Sequence, residues 1–317
     1  MKRRDFLAVA GAAAASNARG ANAPSTIIDA HAHFYDPSRP GGVPWPPKED
    51  ALLYRTVLPA EYRRLTAPFG IRGVIEVEAS PLVEDNQWIL DLIAREPVIV
   101  GTVGDIEPGK PRFGRYLERF HRNDRFLGIR CGDHWGRNFA RDSVQPAFVS
   151  DLELVAAAEL EMDAVGGPLL LESLVRLTDR IPDLRVVIDH MPYDPPQDPS
   201  NLARYKGALR EIGKRKRIYC KVSSVLRRSA AGVSTDVATY RPALDELWDV
   251  FGPDRLIYGS NWPVSDRVAP YASVFQVVFD YFTAKGKPAA DKYFWQNAKA
   301  VYRHCCPRRS DAGQSVL

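Results

Sequence analysis

Residues 25–37 read STIIDAHAHFYDP, an apolar, β-branched run that ends in two histidines two positions apart. A continuous apolar run of this length predicts a strand buried on both faces. The signature returns along the chain, in TIIDAHAHF (26–34), GVIEVEA (73–79), VIVGTVG (98–104), FLGIRCG (126–132), LEMDAVGG (160–167), RVVIDHM (185–191), IYCKVSS (218–224) and LIYGSNWP (256–263). Stretches with helical spacing lie between these runs, among them DNQWILDLIARE, RFGRYLERFHR, SDLELVAAAE, PLLLESLVRLTDR, LARYKGALREIGKR and RPALDELWDVFG. Strands that alternate with helices imply a parallel sheet, and eight such units predict an α/β chain closed into a single-domain (β/α)₈ TIM barrel. A doubly wound open sheet is the alternative. Two proline-rich insertions, YDPSRPGGVPWPPKED (35–50) and PYDPPQDPSN (192–201), follow the first and sixth runs. In a barrel both would lie on the face where active sites are built.

The rest of the chain narrows the class. With 317 residues, 45% hydrophobic and 26% charged, it can bury an ample core and is not globally disordered. Its 43 basic and 39 acidic residues leave a net charge of only +4. The basic runs GKRKR (213–217) and LRRS (226–229) lack interleaved aromatics, so they read as solvated faces and no nucleic-acid partner is expected. Residues 1–23 have the architecture of an export signal: Lys2-Arg3-Arg4, an alanine-rich apolar stretch and the small-x-small site Ala21-Asn22-Ala23. The arginine pair followed by Phe6-Leu7 resembles a twin-arginine signal, which implies the twin-arginine export machinery as a partner and a periplasmic or exported protein. The apolar part is too short for a stable membrane span. The barrel is then expected over residues 24–307, with a tail over 308–317. Cys131, Cys220, Cys305 and Cys306 have neither zinc-finger nor CxxC spacing, and Cys131 and Cys220 read as buried free thiols.

Polar residues interrupt the strands mostly near their carboxyl ends: His31 and His33, Glu78, Arg130, His190, Lys221 and Ser223, and Asn261. In a barrel these would meet at one mouth. His31 and His33 are two apart on an extended chain, so both point to one side. A lone HxH is weak evidence, since a satisfied structural pair gives the same pattern. Asp29 before it, and the other polar strand ends, favour a functional site.

These residues resemble the amidohydrolase superfamily, in its amidohydrolase-related branch that includes sugar and dicarboxylate lactonases. The resemblance runs through IIDAHAHFYDP, EASPLVEDNQWILDLIA, VGTVGDIE, FLGIRCG, IPDLRVVIDHMPYDPP, YCKVSS and FGPDRLIYGSNWPV. It implies a distorted barrel that hydrolyses an ester, lactone or amide, a minority of members being decarboxylases. In metal-dependent members the HxH, a strand 5 histidine and a strand 8 aspartate hold a divalent ion. His31 and His33 match the HxH, and His190 matches the strand 6 histidine. The strand 5 segment offers only Asp163, and strand 8 offers Asn261 where the pattern has aspartate. Two histidines and a neutral amide make a poor zinc site. No obligatory metal is therefore expected, with zinc or manganese on His31 and His33 as the alternative.

Asn261 also removes the usual general base, since an amide takes no proton at useful pH. Glu78, His190 and Asp266 are the candidate replacements. The expected reaction is water attack on a lactone or related cyclic ester of a sugar or aromatic acid. His31, His33, His190 and Lys221 would polarise the carbonyl, and Arg130 would clamp a carboxylate or hydroxyl. Ser223, His134 and Trp262 are further substrate contacts, although His134 also reads as an exposed loop residue and Trp262 as packing. The other readings are a metal-dependent amidohydrolase or decarboxylase, and a barrel that binds a small acid without turnover because Asn261 has replaced the aspartate. GSNWP lacks the second glycine of a serine-hydrolase elbow.

Overall fold

A computed structural model describes residues 20–303. The eight runs form β1 (Ile28–Ala32), β2 (Gly73–Val77), β3 (Ile99–Gly104), β4 (Phe126–Gly132), β5 (Glu161–Val165), β6 (Arg185–Met191), β7 (Ile218–Val222) and β8 (Leu256–Tyr258). Nearly every strand residue is buried, which is why the runs lack a polar alternation. The strands pair in chain order, each parallel to the next. The ring closes beyond the end of β8, where Asn261 donates its N–H to the His31 carbonyl (2.8 Å) and His33 donates to that of Trp262 (2.9 Å). A two-stranded ribbon, Arg228–Ser229 with Gly232–Val233, stands on the loop after β7.

The six expected helices form at Val83–Ile93, Phe113–His121, Pro146–Ala157, Leu170–Arg180, Pro199–Gly213 and Val237–Phe251. The second insertion is shorter than its sequence suggests, because Asp198 caps the Asn201 N–H and Pro199 starts a helix. Helices that were not expected include Pro59–Thr66, Tyr271–Ala284 and the short Phe139–Asp142, Lys287–Asp291 and Asn297–Val301. The second, YASVFQVVFDYFTA, buries Tyr271, Val274, Phe275, Val278, Tyr281 and Phe282 at helical spacing and keeps Ser273, Gln276, Asp280 and Thr283 on its other face.

The larger apolar layer lies between sheet and helices. A smaller cluster joins Ile28, Ile75, Val187 and Ile257, residues of strands on opposite sides of the ring, so it fills the lumen. Val301 and Tyr302, at the end of the last helix, Asn297–Val301, close this floor. Among the described residues no helix is long and apolar enough to cross a membrane. Most of the expected export signal, together with His304, Cys305, Cys306 and the 308–317 tail, lies outside the described residues. Cys131 and Cys220 are free and buried, as expected.

Candidate active site

The polar strand ends do meet at the mouth, but β1 does not keep its alternation. Its register shifts between Asp29 and Ala32. Asp29 turns to the helix layer, where it accepts from the Tyr62 hydroxyl (2.8 Å), the Ser260 N–H (2.8 Å) and the Tyr271 hydroxyl (3.4 Å). It fastens β1 to β8 and is not a member of the site. His31 and His33 turn inward, with room made by Gly259, where a Cβ would stand 2.9 Å from that of His31. Near the end of β6, and beyond β7 and β8, the chain passes through His190 (φ 61°), Ser224 (φ 51°) and Asn261 (φ 56°). Left-handed backbone at three non-glycine residues around one mouth is the kind of strain that functional sites hold.

The hydrogen bonds fix the direction of the histidines. His33 Nδ1 lies 2.8 Å from the Val77 carbonyl, which can only accept, so Nδ1 carries the proton and Nε2 presents a lone pair. That lone pair is 3.3 Å from His31 Nε2 and 3.3 Å from Asn261 Oδ1. On its other side, His31 Nδ1 stands 3.4 Å from Lys221 Nζ. Asp189 Oδ1 is also 3.3 Å from this nitrogen but has no hydrogen-bond partner in good geometry. The ammonium therefore donates to His31 Nδ1, His31 carries its proton on Nε2, and that N–H points at His33. Burial, opposed by Asp189 but aided by Lys221 and His190, holds His31 well below the ordinary histidine range. Burial, with Arg130 nearby, holds His33 down at about 4. Both rings are neutral at pH 7.

The two residues expected to act as base are already engaged. Arg130 Nη2 lies 3.3 Å from His190 Nε2 and can only donate, so the other nitrogen, His190 Nδ1, gives its proton to Ser223 Oγ at 3.0 Å. Burial, with Arg130 and His33 close by, lowers His190 to about 3. Glu78 Oε1 lies 3.0 Å from His134 Nε2 and takes Arg130 Nη1 (3.4 Å), while Oε2 takes Trp135 Nε1 (3.1 Å) and the Ser80 N–H (3.1 Å). Although burial opposes its charge, the neighbouring His134 and Arg130 keep Glu78 below the usual carboxylate range. Asp266, the third candidate, faces Arg55 and the Trp262 indole and is not among the histidine contacts.

The expected substrate contacts divide. Arg130 reaches the mouth with 8% exposure, but its Nε bonds Asp189 Oδ2 at 2.9 Å, so part of the expected clamp serves a protein carboxylate. His134 is brought to the site and is not a free loop residue. Ser223 holds His190. Lys221 is fully buried behind His31, its ammonium on Asp163 and 3.2 Å from Asp189, and cannot polarise a substrate directly. Trp262 is 1% exposed and packs between Phe34 and Tyr62, a packing residue and not a pocket wall. Sequence reasoning missed Asp189, the acid at the centre of this network. Lys221, His31 and Arg130 overcome its burial and hold it well below its ordinary range. The available signal was an acid inside the apolar run VVIDHM, next to a strand-end histidine. Trp45, from the first insertion, covers His33 at 5.8 Å between ring centroids, so that insertion does lie over the site.

Two groups of side chains gather enough donors to be tested as metal sites, His31 with Asp189 and His190, and Glu78 with Asp105 and His134. In the first, Asp189 and His190 already face Arg130, and Lys221 stands against His31. The second is flanked by the Arg130 and Arg137 guanidinium groups. At the family's metal positions Asp163 is turned to Lys221 and Tyr302, leaving two imidazoles and a carboxamide. Catalytic zinc takes three ligands of His, Cys, Asp or Glu type plus water. These donors, beside a fixed ammonium, do not fit that requirement.

The family model described as amidohydrolase matches residues 28–304. An L-fucono-1,5-lactonase of Burkholderia ambifaria is 29% identical over 244 residues, covering 75% of this chain and 80% of the relative. An L-fucono-1,5-lactonase of Burkholderia multivorans is 26% identical over 306 residues, covering 90% and 98%. In fold, the chain is similar to a Burkholderia multivorans amidohydrolase solved with bound zinc, with a TM-score of 0.78 and 23% identity, covering 88% of this chain and 100% of that one.

Proposed function

The chain belongs to the amidohydrolase family, and from that premise we propose that it opens the lactone ring of a sugar or aromatic acid by direct attack of water, with no step that requires a metal. The observation that carries the mechanism is the opposed pair of imidazoles, a donor nitrogen on His31 and a lone pair on His33, 3.3 Å apart beside Asn261. A lactone carbonyl oxygen takes the His31 Nε2–H in place of His33. His33 Nε2 is then free to accept a proton from the attacking water, whose second O–H donates a hydrogen bond to Asn261 Oδ1. In the structure the carboxamide turns its Oδ1 to His33 and its Nδ2 to Ser224 Oγ, at 2.8 Å. Asn261 thus orients the water, and the base is a histidine. As the water oxygen bonds to the carbonyl carbon, charge develops on the carbonyl oxygen against the His31 N–H, with the Lys221 ammonium behind it. Collapse breaks the ring C–O bond, and the leaving alkoxide takes the proton from His33. Arg130 adds positive potential at the mouth for an acidic substrate. The two lactonase relatives support this substrate class.

Proton release from a panel of sugar and aromatic-acid lactones by residues 24–317, with and without chelator, tests the reading. Chelator-resistant ring opening is expected. Turnover only with added zinc or manganese would overturn the metal-free step. The replacement of a carboxylate by Asn261 favours a second reading, binding of a small acid without turnover, and silence across the panel in both conditions would favour it. We also propose export through the twin-arginine route, on the strength of Lys2-Arg3-Arg4 and Ala21-Asn22-Ala23. Cell fractionation with Arg3 and Arg4 changed to lysine tests it, and unchanged periplasmic yield would sink it.

A further inference from the structure

The donor chain that sets His31 begins on the floor of the barrel. Tyr302 is fully buried there and donates its hydroxyl to Asp163 Oδ1 at 2.6 Å. The other oxygen of Asp163 takes the Lys221 ammonium, whose Nζ also stands 5.5 Å from the centre of the Tyr302 ring. Lys221 has three protons and three acceptors within reach, Asp163 Oδ2, Asp189 Oδ1 and His31 Nδ1. Asp189 is itself held by Arg130, but among the described residues Tyr302 and Lys221 are what fix the Asp163 carboxylate plane. An ammonium on a flexible stem stays in one place only if its acceptors do.

We infer that Tyr302 is a positioning residue, which through Asp163 holds the Lys221 ammonium against His31 Nδ1 and so decides which nitrogen of His31 carries the proton. This rests on the proposed reaction for its effect on rate, but not for its effect on the histidine. Packing alone would need only the ring, which phenylalanine keeps. Without the hydroxyl, Asp163 is free to turn, Lys221 follows it, and His31 Nδ1 is left facing Asp189 Oδ1, a contact that favours a proton on Nδ1.

The test is Tyr302→Phe, read by nitrogen-15 NMR of the imidazoles, in which protonated and bare ring nitrogens resonate far apart, and by steady-state kinetics on a lactone that the wild type opens. In the wild type His31 is expected to be bare at Nδ1. In the variant, signal should move toward the Nδ1–H form, and kcat should fall about tenfold, as for other losses of an outer supporting hydrogen bond, with KM unchanged. An unaltered His31 spectrum in a folded variant would overturn the inference, as would a proton on Nδ1 in the wild type, which decides the matter even if the variant does not fold. The expected tautomer shift in a protein that opens no lactone would retain this inference and reject the reaction.

Discussion

The floor and the mouth of the barrel are built from the same eight strands by opposite means. At the floor, Ile28, Ile75, Val187 and Ile257 meet in an apolar cluster that needs no partner beyond close packing. Toward the mouth, Asp163, Asp189, Lys221, Glu78, Arg130, His31 and His33 are buried along the same strands, with His190 half-buried beside them, and each is tolerated because another holds it. Burying a charge costs far more than burying a methyl group unless it is paired. The mouth is thus not arranged for stability. Its pairings hold the rings in one protonation pattern, and they leave a lone pair on His33, the proposed base.

The largest effect should come from removing that lone pair. His33→Gln is expected to lower kcat by about 10²- to 10⁴-fold while leaving the melting temperature close to that of the wild type, measured on the lactone that the wild type opens best; a loss under tenfold would move the base elsewhere. Next is Lys221→Met, which leaves Asp163 and Asp189 in the interior without their shared cation. We expect a loss of about 3–5 kcal/mol in denaturant unfolding, and a variant as stable as the wild type would show that the mouth is not held by these pairs.

Acid should separate the regions as well. Burial lowers His33 to about 4 and, with Arg130, His190 to about 3, against 6.5 for the unfolded chain. Between those values the unfolded chain binds more protons, so stability present above pH 6.5 is lost as the pH falls toward 4, on the order of 3 kcal/mol for each histidine. Urea midpoints from pH 7.5 to 4.5 measure this, and a slope that survives His33→Gln with His190→Gln would assign it to other groups. The smallest effect belongs to the floor, where Ile257→Val should cost about 0.5–1.5 kcal/mol and leave kcat unchanged. A fall in kcat there would show that floor and mouth are not separable.

The same division explains what could be read from the residues alone. Strands buried on both faces announce themselves as continuous apolar runs, so all eight were legible, as were the strand-end histidines and Arg130. What was not legible depends on contacts between strands distant in sequence. That Lys221 is drawn back by Asp163, and that Arg130 caps His190, are facts about pairs and not about single strands. The turn in β1 that sends Asp29 outward was hidden because the sequence keeps a regular alternation through it. The helix Tyr271–Ala284 was legible, since Tyr271, Val274, Phe275, Val278, Tyr281 and Phe282 recur at helical spacing, but it was missed among aromatic and β-branched residues that also favour strands.

The seam between β1 and the residues after β8 carries a consequence of its own. The backbone bonds that shut the ring are made by His31, His33, Asn261 and Trp262, and His33 and Asn261 are 228 positions apart along the chain. Sealing the cylinder and assembling the reactive atoms are therefore one event. On the proposed reaction the seam works as an interlock: a chain shortened before Asn261 keeps both histidines but lacks the residue that orients the water, and opening the seam parts the two.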